Sequence, residues 1–399
     1  MKSNKVIFAS AGSGKTYSLV KDALIKSINT NKLILLISYT NEGVECLKQE
    51  LAQQNHFLTN NKIEIKTWYS FLLNECIKPY QRLLNLKSQK NNKEFNTPPN
   101  YINSISFNIN ESSWKQKIKN EYVEYFMNKD HDLFKDRVSN LACTINEVSN
   151  NKAINRLEQI YAYIFIDEVQ DYAGWDLDFF DILLNSNIEL EFVGDIRQAT
   201  FRTNNGTKNK QFVGSKIINW FIRKNKEEKL IIIHNNKTRR FNKNICNFVN
   251  IIYPNDVSNH VKPDNDLIDN EENQGVFIIN ENKVEEYCNF YEPIILRWDK
   301  RTNINSKLNC QILNYGNAKG ITCNRTIIYL TKPLLLFILN QKPIQLEEVK
   351  AKFYVACTRA KHSVVFVNTT NDKPSNNFEE SSILLGNKSI SCYRYKSES

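Results

Sequence analysis

The stretch Lys5-Val6-Ile7-Phe8-Ala9-Ser10-Ala11-Gly12-Ser13-Gly14-Lys15-Thr16 restricts this chain more than any other. A short apolar run enters a loop, and a helical pattern opens near Tyr17. The whole sequence has only 11 glycines, yet Gly12 and Gly14 stand two apart and lead into Lys-Thr, so chance is a poor explanation. Glycines in such a loop let backbone N–H groups turn inward around phosphate oxygens. In that pattern Ala11, Gly12, Ser13 and Gly14 form the cradle. Lys15 reaches the β- and γ-phosphates of a nucleotide, and the Thr16 hydroxyl meets a magnesium ion. Ala9 stands where the strict pattern has its first glycine.

A second stretch completes the chemistry. Tyr163-Ile164-Phe165-Ile166 reads as a buried strand and ends in Asp167-Glu168-Val169-Gln170-Asp171. In a parallel α/β sheet, ligands bind at the carboxyl edge. There Asp167 can hold a hydrated metal while Glu168 orients a water. Taken alone, the same residues could be an acidic strand-to-helix cap. The phosphate-loop pattern upstream and arginines downstream favour the chemical reading.

With 399 residues, of which 41% are hydrophobic, the chain has material for two to four domains and a sizeable core. A net charge of +10 suits a polyanionic partner, although an Asn/Lys-rich surface yields the same figure. The nine cysteines are scattered, without a Cys-x-x-Cys pair. That argues against a disulfide framework, a zinc site or an iron–sulfur site, and fits a reducing compartment. No signal-peptide pattern opens the sequence, and Leu334–Leu339 falls far short of the ~18 apolar residues of a membrane span. The expectation is a soluble cytoplasmic protein with no membrane contact.

In chain order, Leu33–Ile37 and Ile63–Lys66 read as further strands, with a helix from Glu42 to about Gln53 between them. Their ends carry Thr40 and Thr67-Trp68-Tyr69, candidates to line a nucleic-acid groove with hydroxyls on phosphates and rings on bases; core packing is the competing role of the rings. Residues 85–112, with Pro98-Pro99, read as loop, and helical patterns resume at Trp114–Asn128 and Leu141–Ile160. Leu190–Val193 reads as a strand ending in Gly194-Asp195, followed by Gln198, which could sense a γ-phosphate, and Phe201, which could stack on a base. A second α/β pattern is expected from Leu230-Ile231-Ile232-Ile233 onward. A helix from Lys243 to Ile252 and strands at 276–279, 294–297, 326–330 and 364–367 follow. The Asn/Ser-rich tail from Asn368 reads as surface.

Six blocks in this order resemble the UvrD/Rep-like branch of superfamily 1 helicases. They are Ala9–Thr16, Asp167–Asp171, Gly194–Gln198, Thr238-Arg239-Arg240-Phe241, Ala318-Lys319-Gly320 with Thr322, and Val355–Ala360. In the fourth block the family's arginine falls best on Arg240, with Arg239 as the alternative. The resemblance implies an α/β fold: two RecA-like P-loop NTPase lobes with parallel sheets, plus a mostly helical insert in the first lobe. The corresponding divisions are 1–76 with 156–228 for the first lobe, 77–155 for the insert, 229–368 for the second lobe and 369–399 for a polar tail. It also implies ATP and Mg²⁺, with Thr16 and Asp167 toward the metal. Gln170 joins the cofactor-binding set, and Glu168, Gln198, Arg240 and Arg359 are the catalytic set. Thr40, Thr67, Trp68, Tyr69, Phe201 and Thr322 are expected at the nucleic acid.

The activity implied is 3′-to-5′ translocation on single-stranded or partially duplex DNA. The alternative is a nucleotide-gated sensor or a regulatory ATPase subunit beside a nuclease partner, as in antiphage defence. Tyr69 stands where relatives commonly have His, and Thr322 where many have Glu. The family's upstream glutamine block has no counterpart in Met1–Ala9, which leaves base selectivity open. The short span from Arg240 to Lys319 implies a compact form without most of the second-lobe insertion.

Overall fold

Leu33–Ser38 shows how the first sheet is built. Its residues alternate between two apolar clusters: Leu35 and Ile37 join one, Ile34 and Leu36 the other. Burial on both faces is what a parallel sheet covered on each side demands, and it explains the near-continuous apolar run. In the computed structural model this strand (β2) lies in a six-stranded sheet. The other strands are β1 (Lys5–Ala9), β3 (Ile63–Thr67), β4 (Tyr161–Ile166), β5 (Glu189–Gly194) and β6 (Ile231–Asn235). The order is β6-β1-β5-β4-β2-β3, and the four pairings from β1 to β3 are parallel. One strand thus separates the phosphate-loop strand β1 from the Asp-Glu strand β4. The structure describes residues 3–396 apart from 55–61, 89–93, 97–100, 109–117, 202, 204–205, 257–258, 265–270, 306–307, 341 and 371. Pro98-Pro99 and Trp114 lie outside the described residues.

The chain forms two compact units. The first comprises Met1–Phe8, Lys15–Ile196 and Phe201–Ile233; the second comprises Ala9–Gly14, Arg197–Thr200 and His234–Ser399. In the first, helix α1 (Lys15–Ile28) buries Leu19, Val20, Ala23 and Ser27, and α2 (Asn41–Gln54) buries Val44 and Leu47. A short turn α3 (Trp68–Phe71) runs into a π-helical stretch, Leu72–Ile77.

Between β3 and β4 lie two longer helices, α4 (Val138–Val148) and α5 (Lys152–Ile160). The pattern at Leu141–Ile160 promised one helix. It breaks because Asn150 and Asn151 adopt left-handed backbone, at φ 53° and 64°. The pattern at Trp114–Asn128 yields a single described turn, Val123–Phe126. Short strand pairs at 85–87 with 94–96 and at 105–106 with 133–134 add to what was expected to be mostly helix. Leu84, Ile102, Phe126 and Leu141 share one core with Val6 and Ile164, so this region packs as part of the first unit. Helices α6 (Trp175–Leu184) and α7 (Ile217–Lys226) complete it.

The second unit centres on a seven-stranded sheet. Its strands are β7 (Gly275–Asn280), β8 (Ile294–Arg297), β9 (Ile312–Asn314), β10 (Cys323–Tyr329), β11 (Ala360–Asn368), β12 (Phe378–Leu385) and β13 (Lys388–Tyr395). The order is β9-β8-β10-β11-β7-β13-β12. The first five run parallel, and β13 joins β7 antiparallel. The two-cluster alternation recurs: Val276 and Ile278 face one core, Phe277 and Ile279 the other. Helices α8 (Lys243–Asn250), α9 (Val284–Tyr291), α10 (Lys332–Asn340) and α11 (Glu347–Cys357) accompany the sheet. The apolar run Leu334–Leu339 is α10, which buries Leu334, Ile338 and Leu339. Among the described residues, no helix is long and apolar enough to cross a membrane. All nine cysteines are free thiols.

Two expectations are corrected. Leu230–Ile233 does not begin the second sheet; β6 is the edge strand of the first, with Ile231 N–H donating to Asn4 O at 3.0 Å. Ile231 and Ile233 are 50% and 39% exposed, as an edge allows. The tail is not loose surface from Asn368 onward. Residues Phe378–Tyr395 form a hairpin closed by Gly386-Asn387, with Gly386 at φ +65°. Its alternation buries Ile383, Leu385, Ile390 and Cys392 against the second unit's core.

Replacing Ile383, wholly buried, by Ala is expected to cost about 3 kcal/mol through the cavity it leaves, read as a lowered urea midpoint. A pH effect is expected at Glu75, where Lys66 Nζ lies at 2.8 Å and Arg156 Nη1 at 3.1 Å. Burial opposes its charge, but the Lys66 and Arg156 contacts prevail and hold the carboxyl below its ordinary range. A lowered folded pKa gives stability that is present above the unfolded value and lost as pH falls through the folded one. Glu75→Gln should therefore lower the melting temperature at neutral pH, and the gap to wild type should close under acid.

Candidate nucleotide site and nucleic-acid contacts

The parallel sheet of the first unit delivers Asp167 and Glu168 directly from the end of β4. Asp167 N–H donates to Ile37 O at 2.8 Å, extending the ladder with β2 by one residue. The Asp167 carboxylate is buried and accepts the Glu168 N–H at 2.9 Å. Glu168 has left-handed backbone, φ 55° and ψ 44°. That region is strained for a residue with a side chain, and such strain clusters at working sites. Gln170, buried on the following turn, donates through Nε2 to Glu168 Oε2 and accepts the Asp195 N–H through Oε1 at 3.0 Å. One amide side chain therefore joins the ends of β4 and β5. Gly194 has no room for a side chain there: a Cβ would lie 2.3 Å from Gln170 Oε1 and 3.0 Å from Val169 N.

Lys15 and Thr16 open α1, both half-buried. The Cys46 thiol on α2 is pushed up by partial burial and then by the charges of Asp167 and Glu168, which marks α2 as a neighbour of these carboxylates.

The second unit gathers the glycines and arginines. Ala11 packs into its core with Phe241 and Ile245. Gly12, at φ +74°, accepts the Arg239 N–H at 2.8 Å. A Cβ on Gly12 would fall 2.5 Å from both Arg240 Cβ and Thr238 Oγ1. Arg240 donates through Nη1 to Thr358 O at 3.0 Å. Arg239 instead is 68% exposed and paired with Asp264 at 3.0 Å. Arg359 is buried. It donates through Nε to Val355 O at 2.9 Å, through Nη1 to Ala318 O and Ile321 O at 3.4 Å, and through Nη2 to Gln198 Oε1 at 3.4 Å. Two groups thus emerge: Asp167, Glu168, Gln170 and Asp195 in the first unit; Gly12 with Arg240, and Gln198 with Arg359, in the second.

The candidates for nucleic acid separate. Phe201 is 41% exposed and Thr322 is exposed. Thr40 and Thr67 are half-buried, and each accepts a backbone N–H three residues on, from Gly43 and Ser70, which caps a helical turn. Trp68 and Tyr69 correct the expectation of base-stacking rings. Trp68 is wholly buried, with Nε1 donating to Asp176 Oδ1 at 2.8 Å, and edge-on to Tyr172, Phe179 and Phe180. The Tyr69 hydroxyl donates to Thr203 O at 2.8 Å. Core packing and a satisfied polar tip claim both rings. Asp176 and Thr203 themselves were not singled out by sequence, because an acid in a first helical turn and a threonine in a polar loop are ordinary there.

The glycine loop is of a kind that suits a phosphate group. Gly12 and Gly14 both have positive φ, +74° and +79°, the conformation that turns successive amides toward an anion. Ser13 Oγ is buried in the same loop and has no hydrogen-bond partner among the described residues. The acidic pair at β4 is a donor set suited to magnesium. The two glycines should respond differently to alanine. Both changes strain a left-handed backbone, but Gly12→Ala adds a clash as well, whereas among the described residues a Cβ at Gly14 meets nothing within 4 Å. Gly12→Ala is expected to lower the melting temperature more than Gly14→Ala, measured side by side by thermal unfolding.

Residues 73–212 match the UvrD/REP helicase N-terminal domain, a span that contains Asp167–Asp171 and Gly194–Gln198. The chain is 24% identical over 234 residues to the ATP-dependent DNA helicase Rep of Buchnera aphidicola subsp. Schizaphis graminum (strain Sg), covering 49% of this chain and 35% of that relative. Among solved structures it is similar to the helicase, nonstructural protein 10, of an arterivirus, at a TM-score of 0.44, 12% identity, 92% of this chain and 59% of that one. The same helicase in complex with DNA gives 0.43, 14%, 92% and 61%. The match thus spans about a third of the bacterial relative and about 60% of the viral chains. The Asp-Glu-x-Gln-Asp strand end lies inside the matched domain, so residues 73–212 are similar to the N-terminal domain of UvrD/REP helicases.

Proposed function

We propose that the chain is an ATP-dependent single-stranded DNA translocase or helicase, moving 3′ to 5′ and working in the cytoplasm. The observation that carries this reading is the Gln170 bridge, which holds Glu168 in a strained conformation and ties it to the start of the Asp195–Phe201 segment. A carboxylate fixed in this way suits the orientation of an attacking water. The loop Ala11–Gly14 and Lys15 cradle the phosphates. Thr16 and Asp167 would hold Mg²⁺, which neutralises phosphate charge when bound. Arg240 and Arg359 supply positive charge as the transferred phosphoryl group separates, and Gln198, bonded to Arg359, senses it. An arginine in this role is worth roughly 10³-fold in rate, about 4 kcal/mol. The net charge of +10 supports a polyanionic partner. Phe201 and Thr322, each exposed in its own unit, would meet it, and free thiols suit a reducing compartment.

A second reading is a nucleotide-gated nucleic-acid sensor or a regulatory ATPase subunit of a nuclease complex, as in antiphage defence, with little unwinding of its own. The burial of Trp68 and Tyr69 favours it, because it withdraws two of three candidate stacking rings. A strand-displacement assay run beside DNA-stimulated ATP hydrolysis separates the two: displacement supports the helicase, hydrolysis without displacement the sensor. Lys15→Ala and Glu168→Gln are each expected to abolish turnover, while Glu168→Gln still binds ATP in an equilibrium binding assay. Retained turnover in either variant would break the site assignment.

A further inference from the structure

Asp176 is a wholly buried carboxylate that four groups from separate segments surround. Trp68 Nε1 and the Ser139 hydroxyl donate to Oδ1, and the Thr203 hydroxyl and the Ala173 N–H donate to Oδ2. Burial raises its pKa, and the hydrogen bonds oppose that rise. A buried charge of this kind is weak evidence for stability, since packed apolar groups serve as well or better. Its value lies in fixing one arrangement of the segments that converge on it.

The segment it fixes most firmly is Thr203. Its N–H donates to Asp171 O at 2.9 Å, its hydroxyl accepts the Ala173 N–H at 2.8 Å, and its carbonyl accepts the Tyr69 hydroxyl at 2.8 Å. Thr203 is thus locked to the turn that follows Glu168, while Phe201, two residues earlier, stands exposed. We infer that Asp176 and Thr203 form a latch that makes hydrolysis at Glu168 responsive to single-stranded nucleic acid on Phe201. The inference rests on the proposed function. Both are positioning residues: they act through the Glu168 turn and touch neither nucleotide nor nucleic acid.

Thr203→Val keeps the shape and removes the hydroxyl, leaving the Ala173 N–H its contact with Asp176. The test measures ATP hydrolysis by the full chain, with and without a saturating thymidine oligonucleotide, together with thermal melting. The expected result is a basal rate within about 2-fold of wild type, a stimulation ratio reduced about 10-fold, and recovery of the ratio in Thr203→Ser. Should Thr203→Val melt below the assay temperature, Asp176→Asn, which keeps an oxygen for Trp68 and Ser139, carries the same comparison. An unchanged ratio, or a basal rate that falls in step with the stimulated one, would overturn the latch and leave Asp176 a packing residue. If wild type itself shows no stimulation by the oligonucleotide, the functional reading fails, and the latch with it.

Discussion

The contact on which the rest of the first unit's site depends is the Gln170 amide between Glu168 and Asp195. Its two ends have opposite polarity, so one side chain can donate to a carboxylate on the β4 side and accept a backbone N–H on the β5 side. A carboxylate could do only the second, and a lysine only the first. The bridge also needs a bare backbone beside it, which Gly194 supplies. Glu168 stays in a left-handed conformation because its own N–H is met by Asp167 and its side chain by Gln170. The strain is held by a polar network at the sheet's edge, where the strand ends leave backbone groups to be met.

That arrangement was legible in outline because it follows from strand order. A strand buried on both faces must be nearly all apolar, and β2, β4, β7 and β11 read that way in sequence. Where such strands stop, the first polar residues fall at the carboxyl edge, which is why Asp167-Glu168 and Gly194-Asp195 could be placed before any coordinates. The glycine pattern of the phosphate loop was legible for a similar reason, since positive φ at Gly12 and Gly14 is a backbone requirement that composition exposes.

What failed to show was anything decided by tertiary partners. Leu230–Ile233 is as apolar as a central strand, and only its neighbours make it an edge. Trp68 and Tyr69 look like ideal stacking groups at a strand end. Each has a polar tip, however, and a buried tip with a partner is as stable a home for a ring as a ligand surface. Asp176 supplies the partner for Trp68, and it lies more than a hundred residues away in sequence. The terminal hairpin is a different case: Gly386-Asn387 between alternating residues is a readable turn signal, masked by the surrounding Asn and Ser.

The arginines of the second unit differ in the partners that hold them. An arginine paired with a carboxylate has much of its field cancelled, as in Arg239 with Asp264 and Arg197 with Asp256. Arg359 donates to the carbonyls of Val355, Ala318 and Ile321 and to the amide oxygen of Gln198, which orient the guanidinium. Arg240 meets the Thr358 carbonyl in the same way, and its Cβ stands where Gly12 leaves space. Carbonyl dipoles lower the cost of burying a cation. The fourth and sixth blocks of sequence similarity thus set Arg240 beside Gly12 and Arg359 beside Gln198, the two pairs to which the proposed triphosphate chemistry assigns its positive charge.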